Sequence, residues 1–308
     1  MTDKLFDCKA IKADNFSWSV ARRELFAFCE RACFYHYYGA AGGFDGYSDP
    51  EIKKLYLLKK LIPGRRWLDN IFAKSLRETL MESGRAKTPA DMTGEFSRRL
   101  IREFHHGRRT VEAGEWQNDP GKLNLLELYY NEISADKYFA AMWTDLETRF
   151  KIFSAANLPS ILHKVDKLDW KIIPVPVSFA IGRLQLWIAP DLVWQDGDCI
   201  TILDMNGGGQ SEERRNTYAA LNVIFAEDKF IISPEKVISL FYNNATGQTE
   251  LHSLEALNIS MALENISASA AKMLEKISAD GTVQGINFAG SEQNCARCRF
   301  REFCGSLS

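Results

Sequence analysis

Leu184-Gln-Leu-Trp-Ile-Ala-Pro190-Asp191-Leu-Val-Trp194, the turn Gln195-Asp196-Gly197-Asp198 and the run Cys199-Ile-Thr-Ile-Leu-Asp204 read as two β-strands and their connection. Apolar residues fill both runs, and Asp-Gly-Asp is turn chemistry. Working downstream, Gly207-Gly208-Gly209 precedes a helix expected over residues 211–226. Residues 237–242 and 249–252 read as another strand pair around the turn 243–247, and 254–277 as a helix with Ser253 as its N-cap. Upstream the texture is helical. An aromatic-rich helix is expected over 18–39, ending at a glycine, and another over 51–84 with a break at Pro63-Gly64. Helical patterns continue over 93–104 and 122–153. This order predicts one α/β domain: a mainly helical part (1–160), an α/β core (161–252), and a helix with a cysteine tail (253–308).

Composition is that of an ordinary globular protein long enough to bury a substantial core. The formal net charge of −2 argues against a free-standing nucleic-acid coat protein but leaves room for a local basic groove. No apolar run reaches bilayer length, and the N-terminus lacks the pattern of a signal peptide, so a cytoplasmic protein without a membrane partner is expected.

The chain has seven cysteines, an odd number, and in a reducing compartment a disulfide framework is not expected. Three crowd the tail, Cys295-Ala-Arg-Cys298-Arg-Phe-Arg-Glu-Phe-Cys304, a C-x2-C-x5-C pattern. Two thiolates two residues apart can wrap one metal centre, and a third a helical turn later can cap it. A cubane iron–sulfur cluster wants a fourth thiolate, for which Cys29 and Cys33 are the candidates. Spacing alone admits zinc on the same residues equally well. Cys8 and Cys199 read as small buried hydrophobes.

The run Cys29-Glu-Arg-Ala-Cys33-Phe-Tyr-His-Tyr-Tyr-Gly39 resembles the C-P-R-x-F/Y-x-x-x-Y-x-G box of RecB-like nucleases. These include the AddB nuclease domain and CRISPR-associated adaptation nucleases of the PD-(D/E)XK superfamily. The resemblance covers both ends and the middle of the chain; residues of about 85–160 match no part of the family pattern. It implies a restriction-endonuclease-like mixed sheet flanked by helices, a helical N-terminal region, and an iron–sulfur clasp joining the termini. A 4Fe-4S cluster is then expected on Cys29, Cys295, Cys298 and Cys304. Cys33 falls where an aromatic usually sits, and Glu30 replaces the usual proline.

The family holds Mg²⁺ or Mn²⁺ on two acids from adjacent strands, the second opening a D/E-x-K triplet. Here the resemblance selects Asp191 and Asp204, with Asn206 in the lysine position. An amide carries no positive charge, and losing one such stabiliser commonly costs roughly 10²–10³ in rate. The histidine expected on an upstream helix is Leu68, and the glutamine expected four residues before Tyr218 is Arg214. Read without the family, Asp191 and Asp204 are strand-end residues making turn hydrogen bonds. Arg65, Arg66, Arg214 and Arg215 are the basic residues expected near the cleft, to neutralise phosphates. The basic run between Arg98 and Arg109 reads equally as a DNA-binding or a solvated helix face, and the aromatics 34–38 as core packing beside the cluster.

The implied function is a nucleic-acid-binding, catalytically degenerate nuclease-fold subunit. It would work beside a helicase or an active nuclease in DNA repair, recombination or anti-phage defence. The alternatives are a metal-dependent DNA exonuclease with a relocated cation, and a structural interaction module.

Overall fold

The computed structural model describes residues 16–82, 88–166, 168–171, 173, 176–205, 211–253, 256–277, 286 and 291–304. It is a mixed α/β protein. The chain runs β1 (Ser17–Trp18), α1 (Val20–Phe28), α2 (Glu30–Phe34), a π-helical turn Tyr35–Gly39, α3 (Pro50–Lys60), α4 (Gly64–Glu82), α5 (Pro89–Glu112), α6 (Leu126–Tyr129), α7 (Ala135–Ala155) and α8 (Leu158–Lys164). It continues through β2 (Val177–Ile181), β3 (Leu184–Ile188), β4 (Leu192–Asp196), β5 (Cys199–Asp204), α9 (Glu212–Phe230), β6 (Val237–Tyr242), β7 (Thr249–His252), α10 (Ala256–Leu274), α11 (Glu292–Ala296) and α12 (Arg301–Cys304). Among the described residues no helix is long and apolar enough to cross a membrane.

The central sheet has the order β4-β5-β6-β7. β4 and β5 are antiparallel, with Leu192 opposite Leu203. β5 and β6 are parallel, with α9 as their crossover, and β6 and β7 are antiparallel. Alternation along β4 and β5 sends Leu192, Trp194 and Leu203 into one core and Val193, Ile200 and Ile202 into another. On the first face lie Phe72, Phe96, Phe139, Phe153 and Leu162 of α4, α5, α7 and α8. On the second lie Leu221 and Phe225 of α9 with Ile266, Ala270 and Met273 of α10. The part of the unmatched region that the structure describes, 88–160, is therefore no appendage: it is one wall of a three-layer core.

Three expectations change. The strand expected over 184–194 is two strands in two sheets, because β3 pairs with β1 and β2 while β4 joins the central sheet. The break falls at Ala189-Pro190-Asp191, where proline has no N–H for a ladder. The helix expected over 18–39 is broken at Cys29, whose extended backbone (φ −167°, ψ 119°) ends α1 and begins α2. The helix expected over 122–153 is interrupted between α6 and α7, where Asn131 takes a left-handed conformation (φ 54°).

Candidate functional site

The break at Cys29 brings its side chain to the tail. Cys29, Cys295, Cys298 and Cys304 line one small pocket together with Phe28, Ala32, Tyr35, Asn294, Phe300 and Arg301. Side chains on both sides hold the tail there. Asn294 Nδ2 donates to the carbonyl of Phe28 (3.2 Å), Arg299 to that of Lys59 (2.9 Å), and Tyr130 Oη to that of Arg299 (2.8 Å). Tyr35 packs edge-on against Phe300 and Phe303, and Phe300 is fully buried. The Phe300 N–H lies 3.4 Å from Cys298 Sγ. Burial pushes the Cys298 thiol up to about 11, and Cys29, Cys304 and Cys295 beside it act in the same direction. Four thiols line one space, and a backbone N–H faces the sulfur of Cys298; thiolates and donors to sulfur are the chemistry of metal–thiolate centres. Cys33 is elsewhere: it is buried, its Sγ faces the carbonyl of Arg22 (3.9 Å), and burial pushes it up to about 11.

The second site is a wide cleft of about 930 Å³ whose lining includes Arg65, Arg66, Asp191, Asp204, Arg214 and Tyr218. The corner at Pro190 and the end of β5 bring the two acids together. The Asp191 N–H donates to the carbonyl of Leu203 (3.1 Å), and Asp191 Oδ2 accepts from the N–H of Met205 (2.8 Å). Burial, with Asp204 as a neighbouring charge, pushes the Asp191 carboxyl up to about 7. Two carboxylates that resist joint ionisation suit a divalent cation, and Mg²⁺ is often bound by only one or two protein carboxylates. Among the described residues no group of three His, Cys, Asp or Glu side chains is arranged to hold a metal ion, at either site.

Arg65 and Arg66 are exposed at the start of α4. Arg214 forms an ion pair with Glu24 of α1 (2.8 Å) and lies over the Tyr218 ring. Burial and the neighbouring Asp204 raise the Tyr218 hydroxyl. Arg215 is not among the cleft residues; it pairs with Glu250 of β7 (3.5 Å). Leu68, in the expected histidine position, is fully buried in the core. Asn206 lies outside the described residues. On α5, Arg98 and Arg99 pair with Glu95, and Arg108 with Glu112, an ion-paired helix face.

Several cleft residues escaped the sequence reading. Asp69 and Asn70 share the α4 face with Arg65 and Arg66, a spacing that the helical repeat could have revealed. Asp69 is anchored by the buried Arg149, which also pairs with Asp145 (2.9 Å). Arg77 Nε holds the carbonyl of Asp191 (3.1 Å). Arg22 is buried yet lines the cleft, its guanidinium against the rings of Phe16, Tyr37 and Tyr38. The Arg77 and Arg22 contacts are tertiary and carry no local signal.

No family profile matches the chain, and no curated protein matches it.

Proposed function

We propose that this chain is a RecB-like nuclease-fold protein that binds nucleic acid in the cleft and cuts it weakly or not at all. One observation carries the reading: six of the residues chosen from the sequence as one site, Arg65, Arg66, Asp191, Asp204, Arg214 and Tyr218, line a single cleft that has paired acids and basic side chains together. The β-hairpin carrying the acids, followed by a parallel crossover, supports a restriction-endonuclease-like core. Arg65, Arg66 and Arg214 would neutralise backbone phosphates. Asp191 and Asp204 would hold Mg²⁺ or Mn²⁺, which supplies Lewis acidity toward a phosphate. Asn206 in the lysine position leaves the site without a lysine's ammonium charge. Cys29, Cys295, Cys298 and Cys304 would hold a 4Fe-4S cluster that ties the N-terminal helices to the tail. DNA is the proposed ligand, and a helicase or active nuclease the proposed protein partner.

The cleft arginines also favour a second reading, an active exonuclease with a relocated cation. The test uses the full chain with labelled DNA, with and without Mn²⁺. Binding should weaken as salt rises, and removing both Arg65 and Arg66 should lower the slope of log K on log salt by roughly 1 per arginine. Asn206→Lys should raise Mn²⁺-dependent cleavage from a low or absent wild-type level. Robust wild-type cutting that disappears in Asp204→Ala would establish the second reading instead. No salt-dependent binding to any DNA would leave only the structural module.

A further inference from the structure

The cleft contains an aromatic surface that the fold leaves open. Along β3, Leu186 and Ile188 point into the core, and the period of the strand turns Trp187 outward. Its cross-strand neighbour is Ser178, which accepts from Gln185 Nε2 (3.0 Å), so the surrounding face is built of short or tied-down polar groups. Trp187 is 37% exposed. The other aromatic rings of the cleft are covered: Tyr37 by Arg22 and His36, Tyr218 by Arg214. Among the described residues no ring or cation packs on the Trp187 indole. A lone exposed tryptophan means little on a convex surface. This one stands in the same concavity as Arg65, Arg66 and the two acids.

An indole in the same cleft as two exposed arginines offers what an unpaired base needs. Every nucleobase has a π face, so stacking is tolerant of sequence, while a base inside a duplex already has both faces occupied. We propose that Trp187 is the base-stacking platform of the cleft, holding an unpaired nucleobase while Arg65 and Arg66 take the adjoining phosphates. The inference rests on the nucleic-acid reading and adds to it the residue that discriminates bases from bare backbone.

The test compares the binding of three strands of equal length by the full chain: oligothymidylate, the same strand made abasic, and the blunt duplex. Wild type binds oligothymidylate roughly tenfold or more tightly than the abasic strand, the scale of one stacked base. Trp187→Ala abolishes that preference and leaves the salt dependence intact. Trp187→Phe keeps most of it, and Trp187→Leu, which preserves apolar bulk without a π face, does not; these two serve if the alanine variant fails to fold. Oligothymidylate quenches wild-type tryptophan emission more than that of Trp187→Phe. A folded Trp187→Ala or Trp187→Leu protein with the wild-type preference overturns the assignment, as does a wild type that binds both strands equally. Failure of wild type to bind any strand removes the nucleic-acid reading itself, an outcome distinct from the other two.

Discussion

Asp191 carries the clearest electrostatic consequence in the molecule. Its carboxyl is raised to about 7 by burial and by Asp204, against an ordinary value of about 4. Between those two values the unfolded chain has lost the proton and the folded chain keeps it. Stability therefore falls as pH rises from about 4 to about 7 and levels off above. Asparagine matches the shape, and its oxygen can still accept the Met205 N–H, but it has no charge to desolvate. Asp191→Asn should raise the melting temperature at pH 8 by roughly 1–3 °C, the response of a chain this size to about 1–2 kcal/mol. The gain should vanish near pH 4 and shrink when Mn²⁺ is added to the wild type. A gain independent of pH, measured by scanning calorimetry, would show that desolvation of the carboxylate is not its source. Other residues could not be read in this way. Cys29 and Cys33 are equivalent as thiols four positions apart, and only the extended backbone at Cys29 separates the one that meets the tail from the one that faces Arg22.

Among the elements, α5 has a glycine that runs against its helical propensity. Gly107 sits inside a 24-residue helix, where alanine would ordinarily be better by about 1 kcal/mol. A Cβ at Gly107 would meet Trp67 Cζ2 of α4 at 2.6 Å, and Trp67 is wedged between Phe104 and Phe139. Gly107→Ala is therefore expected to destabilise by about 1–3 kcal/mol, the usual cost of overpacking, reversing the sign that propensity predicts. Equilibrium denaturation decides it; a more stable variant would mean that Trp67 can move aside. The breaks in the elements have the same origin. Pro190 and Asn131 were visible as residues, but that the proline would hand the chain from one sheet to another depends on which strands wait on either side.

At the scale of the whole molecule, the α2 region and the cysteine tail are held against each other by the third apolar cluster. It joins Ala32, Leu55, Leu58, Leu126 and Phe300, with Cys29 and Cys298 at its margin. If a cluster bridges the four cysteines, Cys29→Ser should lower iron content and destabilise by roughly 2–5 kcal/mol, the scale of losing a long-span covalent staple. Trypsin should then release the tail, where Arg297, Arg299 and Arg301 offer cleavage sites. The apolar contacts set the alternative: if they suffice, iron is absent from anaerobically purified wild type and the serine variant melts unchanged.

Local pattern determined much of this protein. The β6–β7 pair matched its expected bounds, the α3–α4 break fell at Pro63-Gly64, and spacing picked out the tail cysteines, because turn chemistry, proline and short-range spacing act within a few residues. The sequence also named six residues that line the cleft, Arg65, Arg66, Asp191, Asp204, Arg214 and Tyr218, although Arg215 turned away to Glu250. Tertiary structure alone decided that α5, α7 and α8 wall one face of the sheet, that Arg77 reaches the carbonyl of Asp191, and that Arg22 and Trp187 line the cleft of the acids. Contacts between residues as far apart as Arg77 and Asp191 follow from how the layers pack, and no local periodicity encodes them.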